Sequence, residues 1–310
     1  MKRPAVLAVV GATASGKSAL ALRLAEDLGG EIVSVDSRLL YRGMDIGTAK
    51  PTPAERARVV HHLIDIADPD ETWSLARVQQ AVYQAVAEIA ARGRLPLLVG
   101  GTGQYMRAVL EGWSPPGRAS DSSVRARLEQ DVREGRGAQL VEKLHQVDPA
   151  SAARIDPRNL RRVIRALEIF EATGRPASEL RGRTEPPFES HCLGLTMPRP
   201  ELYDRIDHRI EAMIAAGWVE EVRQLRSRGY DRSLPSMSAI GYRQIAAHLD
   251  GELTLDDAVR EIRRATRRFV RHQANWFRLD DPSIHWFTPE AGYEARVAAW
   301  ARRQFGSASP

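Results

Sequence analysis

The apolar residues of the first 110 positions alternate between short continuous runs and longer stretches with helical spacing. The continuous runs predict buried strands at residues 5–10, 31–35, 61–66 and 95–99. Helical spacing predicts helices at residues 17–28, 74–91 and 104–110. Strands that alternate with helices pair in parallel through right-handed crossovers. The pattern therefore predicts an α/β fold, with a parallel sheet flanked by helices.

The pattern changes after residue 113, where a stretch rich in proline, glycine and serine reaches to about residue 121. Short, charged helices are predicted beyond it, at residues 121–134, 137–146, 148–154 and 158–173. Apolar runs at 191–196 and 284–287 predict two further strands, and the chain between them is mostly helical. We therefore predict an α/β core with a helical C-terminal part, formed by residues 1–115 and 191–310, and an all-α insertion domain, residues 116–190.

Composition and charge narrow the class of protein. The 310 residues are 43% apolar, yet no apolar run approaches the ~20 residues of a membrane span. Cys192 is the single cysteine, so a disulfide framework within one chain is excluded. The apolar stretch near the N-terminus runs into a glycine-rich motif that signal-peptide cleavage would destroy. We expect a cytoplasmic protein with no membrane partner.

Positive charge is concentrated in one segment of a chain whose net charge is only +5. Residues 260–278 contain seven arginines and one glutamate. If this segment is helical, one face carries Arg260, Arg264, Arg267 and Arg271. A solvated face is the ordinary explanation of such a run, but carboxylate partners are nearly absent from the segment. The pattern favours a polyanionic partner such as a nucleic acid.

The clearest motif lies between the first predicted strand and the first predicted helix. Residues 11–18 read Gly-Ala-Thr-Ala-Ser-Gly-Lys-Ser, which fits the phosphate-loop pattern G-x-x-x-x-G-K-[ST] in its proper context. Backbone N–H groups of such a loop hold phosphate oxygens, the lysine adds a charge, and the final hydroxyl can ligate Mg²⁺. The sequence predicts a polyphosphate or pyrophosphate site formed by Gly11, Ala12, Thr13, Ala14, Ser15, Gly16, Lys17 and Ser18.

Two other predicted strands end in residues suited to chemistry. Asp36 follows the strand 31–35, where a catalytic base or a metal-binding carboxylate belongs, although capping the turn would also explain it. Gly100-Gly-Thr-Gly103 follows the strand 95–99 and offers the hydroxyl of Thr102. Asp65 is a weaker candidate, for which a turn or surface role is at least as plausible. Carboxyl ends of parallel strands share one edge, so these loops should meet the phosphate loop there.

Taken together, seven segments resemble the tRNA dimethylallyltransferases, also called isopentenyl-tRNA transferases. They are residues 11–18, 32–37, 41–51, 97–103, 165–168, 240–243 and 271–278. The resemblance extends over residues 5–287 and implies a P-loop NTPase-like core. The family transfers a dimethylallyl group from dimethylallyl diphosphate to N6 of adenosine 37 in the tRNA anticodon stem-loop, and it requires Mg²⁺.

The resemblance also implies roles for individual residues. The loop 11–18 would bind the diphosphate of the donor, Ser18 would ligate Mg²⁺, Asp36 would be the general base, and Thr102 would lie near the acceptor amine. Ala12 and Ser18 are mild departures, since many members have Pro and Thr there. The positions that match tRNA-contacting residues of the family are Asp36, Ser37, Arg38, Leu39, Arg125, Arg161, Arg162, Val163, Ile164, Arg165, Ser238, Ala239, Ile240, Gly241, Tyr242, Arg243, Arg271, His272, Gln273, Asn275, Trp276 and Arg278.

The resemblance favours the bacterial type, because these 310 residues lack the C-terminal zinc finger that eukaryotic members carry, and we expect a monomer. Three other functions also fit parts of the sequence. A phosphate-loop kinase of a nucleotide or small metabolite would use the same loops, but it would not need an extended basic surface. A related prenyltransferase could modify free AMP or ADP. A non-catalytic RNA-binding protein gated by a nucleotide would form no covalent product.

Overall fold

The computed structural model describes residues 3–114, 122–180 and 182–306. The strands are β1 (Ala5–Gly11), β2 (Gly30–Ser34), β3 (His61–His62), β4 (Leu95–Val99), β5 (Trp113–Ser114), β6 (Gly182–Arg183), β7 (Glu189–Leu195) and β8 (Ile284–Phe287). The helices are α1 (Lys17–Leu28), α2 (Pro53–Arg58), α3 (Leu75–Ala91), α4 (Gly103–Leu110), α5 (Ser122–Arg133), α6 (Gly137–Val147), α7 (Pro149–Ala152), α8 (Leu160–Thr173), α9 (Arg199–Ala215), α10 (Trp218–Ser227), α11 (Tyr242–Leu249), α12 (Leu255–Ala274) and α13 (Tyr293–Phe305).

The chain forms two compact units. The larger runs up to Leu110 and resumes at Pro186, and the smaller is Glu111–Glu185. The limits predicted for the insertion, 116 and 190, lie somewhat later along the chain, because short extended segments next to a loop have no periodic pattern.

The larger unit is built on a six-stranded sheet in the order β3-β2-β4-β1-β7-β8. Every neighbouring pair is parallel, as the alternating pattern predicted. Side chains of β1 alternate between two buried faces: Val6 and Val10 pack with α3 and α4, while Leu7 and Val9 pack with α1 and α13. Because both faces of β1 are buried, its sequence is continuously apolar. The carboxyl ends of β1, β2 and β4 consequently lie along one edge.

The predicted strand 61–66 is wrong beyond its first two residues. Only His61 and His62 pair with β2. Leu63 and Asp65 have φ values of +60° and +57°, a left-handed conformation that cannot continue a strand. Asp65 instead accepts hydrogen bonds from Lys50 and Arg56, so it is a loop-stabilising residue in this structure.

Helices α9 to α12 pack around Trp218 and Tyr242 in the C-terminal part of the larger unit. Two glycines make room for the indole. A Cβ on Gly241 would lie 1.9 Å from Trp218, and one on Gly47 would lie 2.0 Å from its Nε1. Gly241 also has a φ of +94°, so a side chain there would be both strained and blocked. This packing fixes the segments around residues 47 and 241 against each other.

The smaller unit has its own core, formed by helices α5, α6 and α8 around Leu128, Leu144 and Leu167. The prediction of an all-α domain is corrected here, because β5 and β6 form a two-stranded antiparallel ribbon within this unit. Strands of two residues cannot show an alternating pattern, so they cannot be predicted from the sequence. Within the described ranges, no helix is long and apolar enough to cross a lipid bilayer.

Candidate active site

The phosphate loop joins β1 to α1 through a series of unusual backbone conformations. Gly11 ends β1 with a φ of +137°, and a Cβ there would lie 2.4 Å from the carbonyl oxygen of Leu195. Ala14 and Gly16 have φ values of +67° and +94°. These turns bring the chain round so that α1 begins at Lys17. Consequently the first N–H groups of α1 lie at the carboxyl edge of the sheet, where a helix N-terminus favours an anion.

Two cations face this loop. Lys17 donates to the carbonyl oxygen of Ala12 at 2.6 Å, and burial lowers the pKa of Lys17 to about 8, with the positive charge of Arg209 adding to the effect and Asp36 opposing it. Arg209 comes from α9, is half-buried, and makes no ion pair with a described residue. Burial also lowers the pKa of Arg209. Asp36 raises both pKa values only in part, and no described carboxylate forms an ion pair with either cation, so the two positive charges suit a multiply charged anion.

Asp36 and Thr102 lie together beside the loop. Oδ1 of Asp36 accepts the N–H of Arg38 at 2.8 Å, so the carboxylate does cap its own turn. Its Oδ2 is 3.5 Å from the hydroxyl of Thr102, which in turn accepts the N–H of Ser37 at 3.3 Å. The three loops that end β1, β2 and β4 therefore meet, and turn capping leaves one carboxylate oxygen facing the hydroxyl.

These groups line one cavity of about 670 Å³. Its wall combines the polar and charged groups of the three loops with apolar side chains from the helical part. The apolar contributors include Ile206, Ile210, Met213, Ile262 and Phe269. A cavity of this size, apolar with a few convergent polar groups, is typical of a small-molecule site. It can hold an anionic group and a hydrocarbon group together.

The residues present fit a magnesium ion shared with a phosphate ligand. Ser18 lines the cavity, and its hydroxyl makes no hydrogen bond to any described residue. No group of three or more metal-ligating side chains occurs in the described part of the chain. Magnesium often takes only one or two protein oxygens and completes its shell with phosphate and water. Ser18 could supply such an oxygen.

Comparisons with known proteins show which family the chain belongs to. A sequence profile described as IPP transferase matches residues 39–280. The chain belongs to the IPP transferase family. A tRNA dimethylallyltransferase of Roseiflexus sp. (strain RS-1) is 56% identical over 273 residues, which is 88% of this chain and 90% of that protein. The resemblance seen in the sequence is thereby confirmed.

Solved structures of family members share the fold. The full-length tRNA isopentenylpyrophosphate transferase from Bacillus halodurans superposes with a TM-score of 0.71 at 39% identity, covering 99% of this chain and 98% of that one. A eukaryotic dimethylallyltransferase, crystallised acting on tRNA, gives a TM-score of 0.81 at 25% identity and covers 99% of this chain and 80% of that chain. The IPP transferase fold thus extends over nearly the whole chain, and a P-loop NTPase-like core is confirmed.

Of the positions matched to tRNA contacts of IPP transferases, most lie at the surface or in the cavity wall. Asp36, Ser37, Arg38 and Leu39 line the cavity and are half-buried, while Ile240 lines it too. In the smaller unit Arg165 is half-buried and pairs with Glu168. Trp276 is half-buried in the larger unit. The exposed members are Arg125, Arg161, Arg162, Ser238, Arg243, Arg271, His272, Asn275 and Arg278.

Six of the predicted tRNA contacts fall at residues that are buried in this structure, so no exposed side chain is available there to contact RNA. Val163, Ile164 and Tyr242 pack in the core of their own unit, while Ala239 is 6% exposed and lines the cavity. Gly241 has no side chain and is covered by Trp218. Gln273 is 2% exposed and bonds to the loops of the cavity. Helical and loop segments carry both exposed and buried residues, so a match over a whole segment includes positions of both kinds.

The arginine face of α12 is also partly corrected. Carboxylates absent from the segment come from elsewhere: Asp207 and Glu211 of α9 pair with Arg263, and Asp207 pairs with Arg267 as well. Asp257, at the start of α12, pairs with Arg260. Exposed arginines of α12 without a described carboxylate partner are Arg264, Arg268 and Arg271.

Arg209 was missed by sequence reasoning. It lies almost two hundred residues after the phosphate loop, in a helix with no recognisable motif. Only the packing of α9 over the sheet edge brings its guanidinium to the cavity. Arg38, by contrast, was found, but its guanidinium donates to the carbonyl oxygens of Pro235 and Ser236, so much of its donor capacity is used within the protein.

Proposed function

We propose that this chain transfers a dimethylallyl group from dimethylallyl diphosphate to N6 of adenosine 37 in tRNA, next to the anticodon. The observation that carries the proposal is the single cavity in which Asp36 and Thr102 lie beside a phosphate loop with two cations. The names of the related proteins give tRNA as their acceptor and dimethylallyl as the group they transfer, which supports the proposal. In this proposal the chain acts in the cytoplasm, as a monomer, on one anticodon stem-loop.

The donor would be held by its diphosphate. N–H groups of the phosphate loop, together with Lys17 and Arg209, face the place where the leaving group gains charge. Preorganised donors of this kind stabilise developing charge most strongly where water is excluded. When bound, Mg²⁺ would neutralise part of the diphosphate charge, and Ser18 would help to hold it. Apolar side chains of the same cavity suit the five-carbon group.

The acceptor amine would lie at the other side of the reacting carbon, near Asp36 and Thr102. The lone pair of N6 is conjugated into the adenine ring, so the amine is a weak nucleophile. As the N6–C1 bond forms, the bond from C1 to the diphosphate oxygen breaks and the diphosphate leaves with that electron pair. The proton lost from N6 passes to Asp36. A positioned base typically contributes ~10²–10⁴-fold to the rate.

The protein would bind the tRNA mainly through the phosphate backbone of the RNA. Adenosine 37 is stacked in the anticodon loop, so it must be turned out of the stack to reach a cavity. Arg264, Arg268 and Arg271 are exposed, have no carboxylate partner among the described residues, and offer phosphate contacts on the larger unit. Arg161 and Arg162 are exposed on the smaller unit. Such contacts position RNA without reading its sequence.

One incubation tests the proposal. The protein is mixed with bulk tRNA, Mg²⁺ and dimethylallyl diphosphate labelled in the allyl group, and RNA-bound label is measured. We expect label in tRNA, and very little in free AMP offered at the same concentration. Efficient labelling of AMP would instead support the nucleotide prenyltransferase. Absence of any covalent product, with RNA affinity that depends on a nucleotide, would support the binding protein.

A further inference from the structure

We propose that Gln273 is a positioning residue, which fixes the phosphate loop relative to the Gly100–Gly103 loop and so aligns donor and acceptor; the inference rests on the proposed function. Gln273 lies in the last turn of α12 and is 2% exposed. It is therefore covered, although its neighbours Arg271 and His272 are exposed.

Both ends of the Gln273 amide are used, each on a different loop of the cavity. Its Oε1 accepts the backbone N–H of Thr13 at 2.8 Å. Its Nε2 donates to the carbonyl oxygen of Gly101 at 2.7 Å. The partners determine the orientation of the amide, because an N–H must face the oxygen and a carbonyl must face the nitrogen.

These two bonds join the groups that the reaction must align. Thr13 belongs to the loop that presents Lys17, and Gly101 precedes Thr102, whose hydroxyl lies beside Asp36. The bridge is possible because residue 101 has no side chain. A Cβ there would lie 2.6 Å from Nε2 of Gln273 and 3.8 Å from Nζ of Lys17.

The turn that carries Gln273 is itself anchored. Arg107 of α4 donates twice to the carbonyl oxygen of Trp276, at 3.0 and 2.8 Å, and also pairs with Asp281. Trp276 packs so closely on Gly103 that a Cβ there would lie 2.3 Å from the indole ring. The end of α12 is thus anchored to α4, and the side-chain amide of Gln273 holds the two loops at a defined distance from each other.

Loss of the bridge should affect chemistry more than folding. Removal of the amide leaves a buried N–H and a buried C=O unpaired, and the loops will shift to recover partners. A displacement of about 1 Å between reacting groups can lower a rate by ~10²-fold. RNA binding should change little, since Gln273 has no surface on which RNA could lie.

The experiment compares Gln273→Met with Gln79→Met. Gln79 is a matched control: it is also a buried glutamine, 8% exposed, that donates to a backbone carbonyl oxygen, that of Ala108, at 2.7 Å. It does not line the cavity. Both variants should unfold at a lower temperature than the parent. Only Gln273→Met should lose the single-turnover rate at saturating substrates, by ~10-fold or more, with the tRNA Kd within about twofold.

Gln273→Glu serves as a second variant, in case Gln273→Met does not fold. It keeps the length and the acceptor for Thr13, but it turns a carboxylate oxygen towards the carbonyl of Gly101, so the rate should again fall. A single-turnover rate for either folded variant within about twofold of Gln79→Met would overturn the proposal.

A further measurement tests the role of Gln273 even if the proposed function is wrong. If the parent protein labels no tRNA, inorganic pyrophosphate becomes the probe of the phosphate loop. Gln273→Met should then bind pyrophosphate several-fold more weakly than Gln79→Met, because the loop has lost its brace. Equal affinities would reject the role of Gln273 whatever the enzyme transfers.

Discussion

At the scale of single residues, the site is defined by charges that are held close together and away from water. Burial lowers the pKa of Lys17 and that of Arg209, and the positive charge of Arg209 lowers the pKa of Lys17 further. Asp36 is the carboxylate that opposes both shifts. A diphosphate would relieve the repulsion between the two cations, so the free protein is preorganised for an anion.

The lowered pKa of Lys17 predicts a pH dependence of donor binding. Only the protonated lysine attracts an anion, and the pKa of Lys17 in the protein without ligand is about 8. The affinity for pyrophosphate should therefore be fully present below that pH and should decline as the pH rises through it. Each pH unit above it should weaken binding of pyrophosphate by up to ~10-fold, until the pKa of the complex is reached. Calorimetric titrations between pH 7 and 9.5 measure this.

Lys17→Met provides the comparison for that titration. Its affinity should be lower at pH 7 and should lack the decline near pH 8, because the titrating group has been removed. The ionisation of pyrophosphate itself affects both proteins equally and cancels in the ratio. A parent protein with the same pH profile as Lys17→Met would show that Lys17 does not contact the phosphates.

The carboxylate of Asp36 predicts a separation of chemistry from binding. Asp36→Asn keeps the oxygen that accepts the N–H of Arg38 but cannot take a proton from the amine. The single-turnover rate should fall by ~10²-fold or more, and the tRNA Kd should stay within several-fold. Rapid-quench measurements and filter binding give the two quantities.

A second aspartate provides a control for Asp36→Asn, because the same replacement there removes a charge from a similar turn. Asp231 accepts the N–H of Ser233 at 2.7 Å, two residues ahead, just as Asp36 accepts that of Arg38, and it lies outside the cavity wall. Asp231→Asn should transfer at the parental rate. If Asp36→Asn also kept that rate but bound tRNA poorly, Asp36 would be a recognition residue.

Several residues of the site could be predicted from the sequence because of their positions relative to the predicted strands. Asp36 and Thr102 lie in the loops that follow apolar runs, Lys17 lies at the end of such a loop, and parallel strands bring these loops to one edge. Arg209 and Gln273 could not be assigned in this way. Each is positioned by the packing of a helix over that edge, and the sequence of a helix does not show which elements it will pack against.

At the scale of elements, α12 has two different sets of arginines. Those paired to α9 hold the two helices together, since Arg267 both bonds to Asp207 and lies 5.1 Å from the ring centroid of Tyr203. Those without a described carboxylate partner face solvent. Periodicity alone grouped Arg267 with the exposed set, because the carboxylates that pair with it are some sixty residues away.

The two sets predict different responses to salt. Arg268→Gln with Arg271→Gln should weaken tRNA binding and flatten its salt dependence, because each lost phosphate contact lowers the log–log slope by about 0.7–0.9. Affinity for pyrophosphate should not change, since these side chains are not in the wall of the cavity. Filter-binding titrations at several salt concentrations measure the slope.

A control with the same change in net charge is Arg58→Gln with Arg296→Gln. These arginines are already paired, with Glu26 and Glu290 respectively. Their replacement should leave the slope as it is in the parent. Equal slopes in all three proteins would place the RNA on another surface.

At the scale of the whole molecule, the sheet brings together loops that are about ninety residues apart in the sequence, and a helical part covers the edge where they meet. The parallel pairing of the strands followed from the alternation of apolar runs and helical spacing. The ribbon of β5 and β6 could not be predicted in this way, because each strand has only two residues and their pairing depends on tertiary contact. The family resemblance supplied the chemistry that the pattern alone left open.

The central claim is that this cavity prenylates one base of tRNA, and the product itself tests it most directly. tRNA treated with the protein, Mg²⁺ and dimethylallyl diphosphate is digested to oligonucleotides, and mass spectrometry locates the added five-carbon group. We predict the group on N6 of adenosine 37 with the parent protein, and at least ~10²-fold slower appearance with Asp36→Asn. A product at another position, or one formed equally fast by Asp36→Asn, would contradict the account.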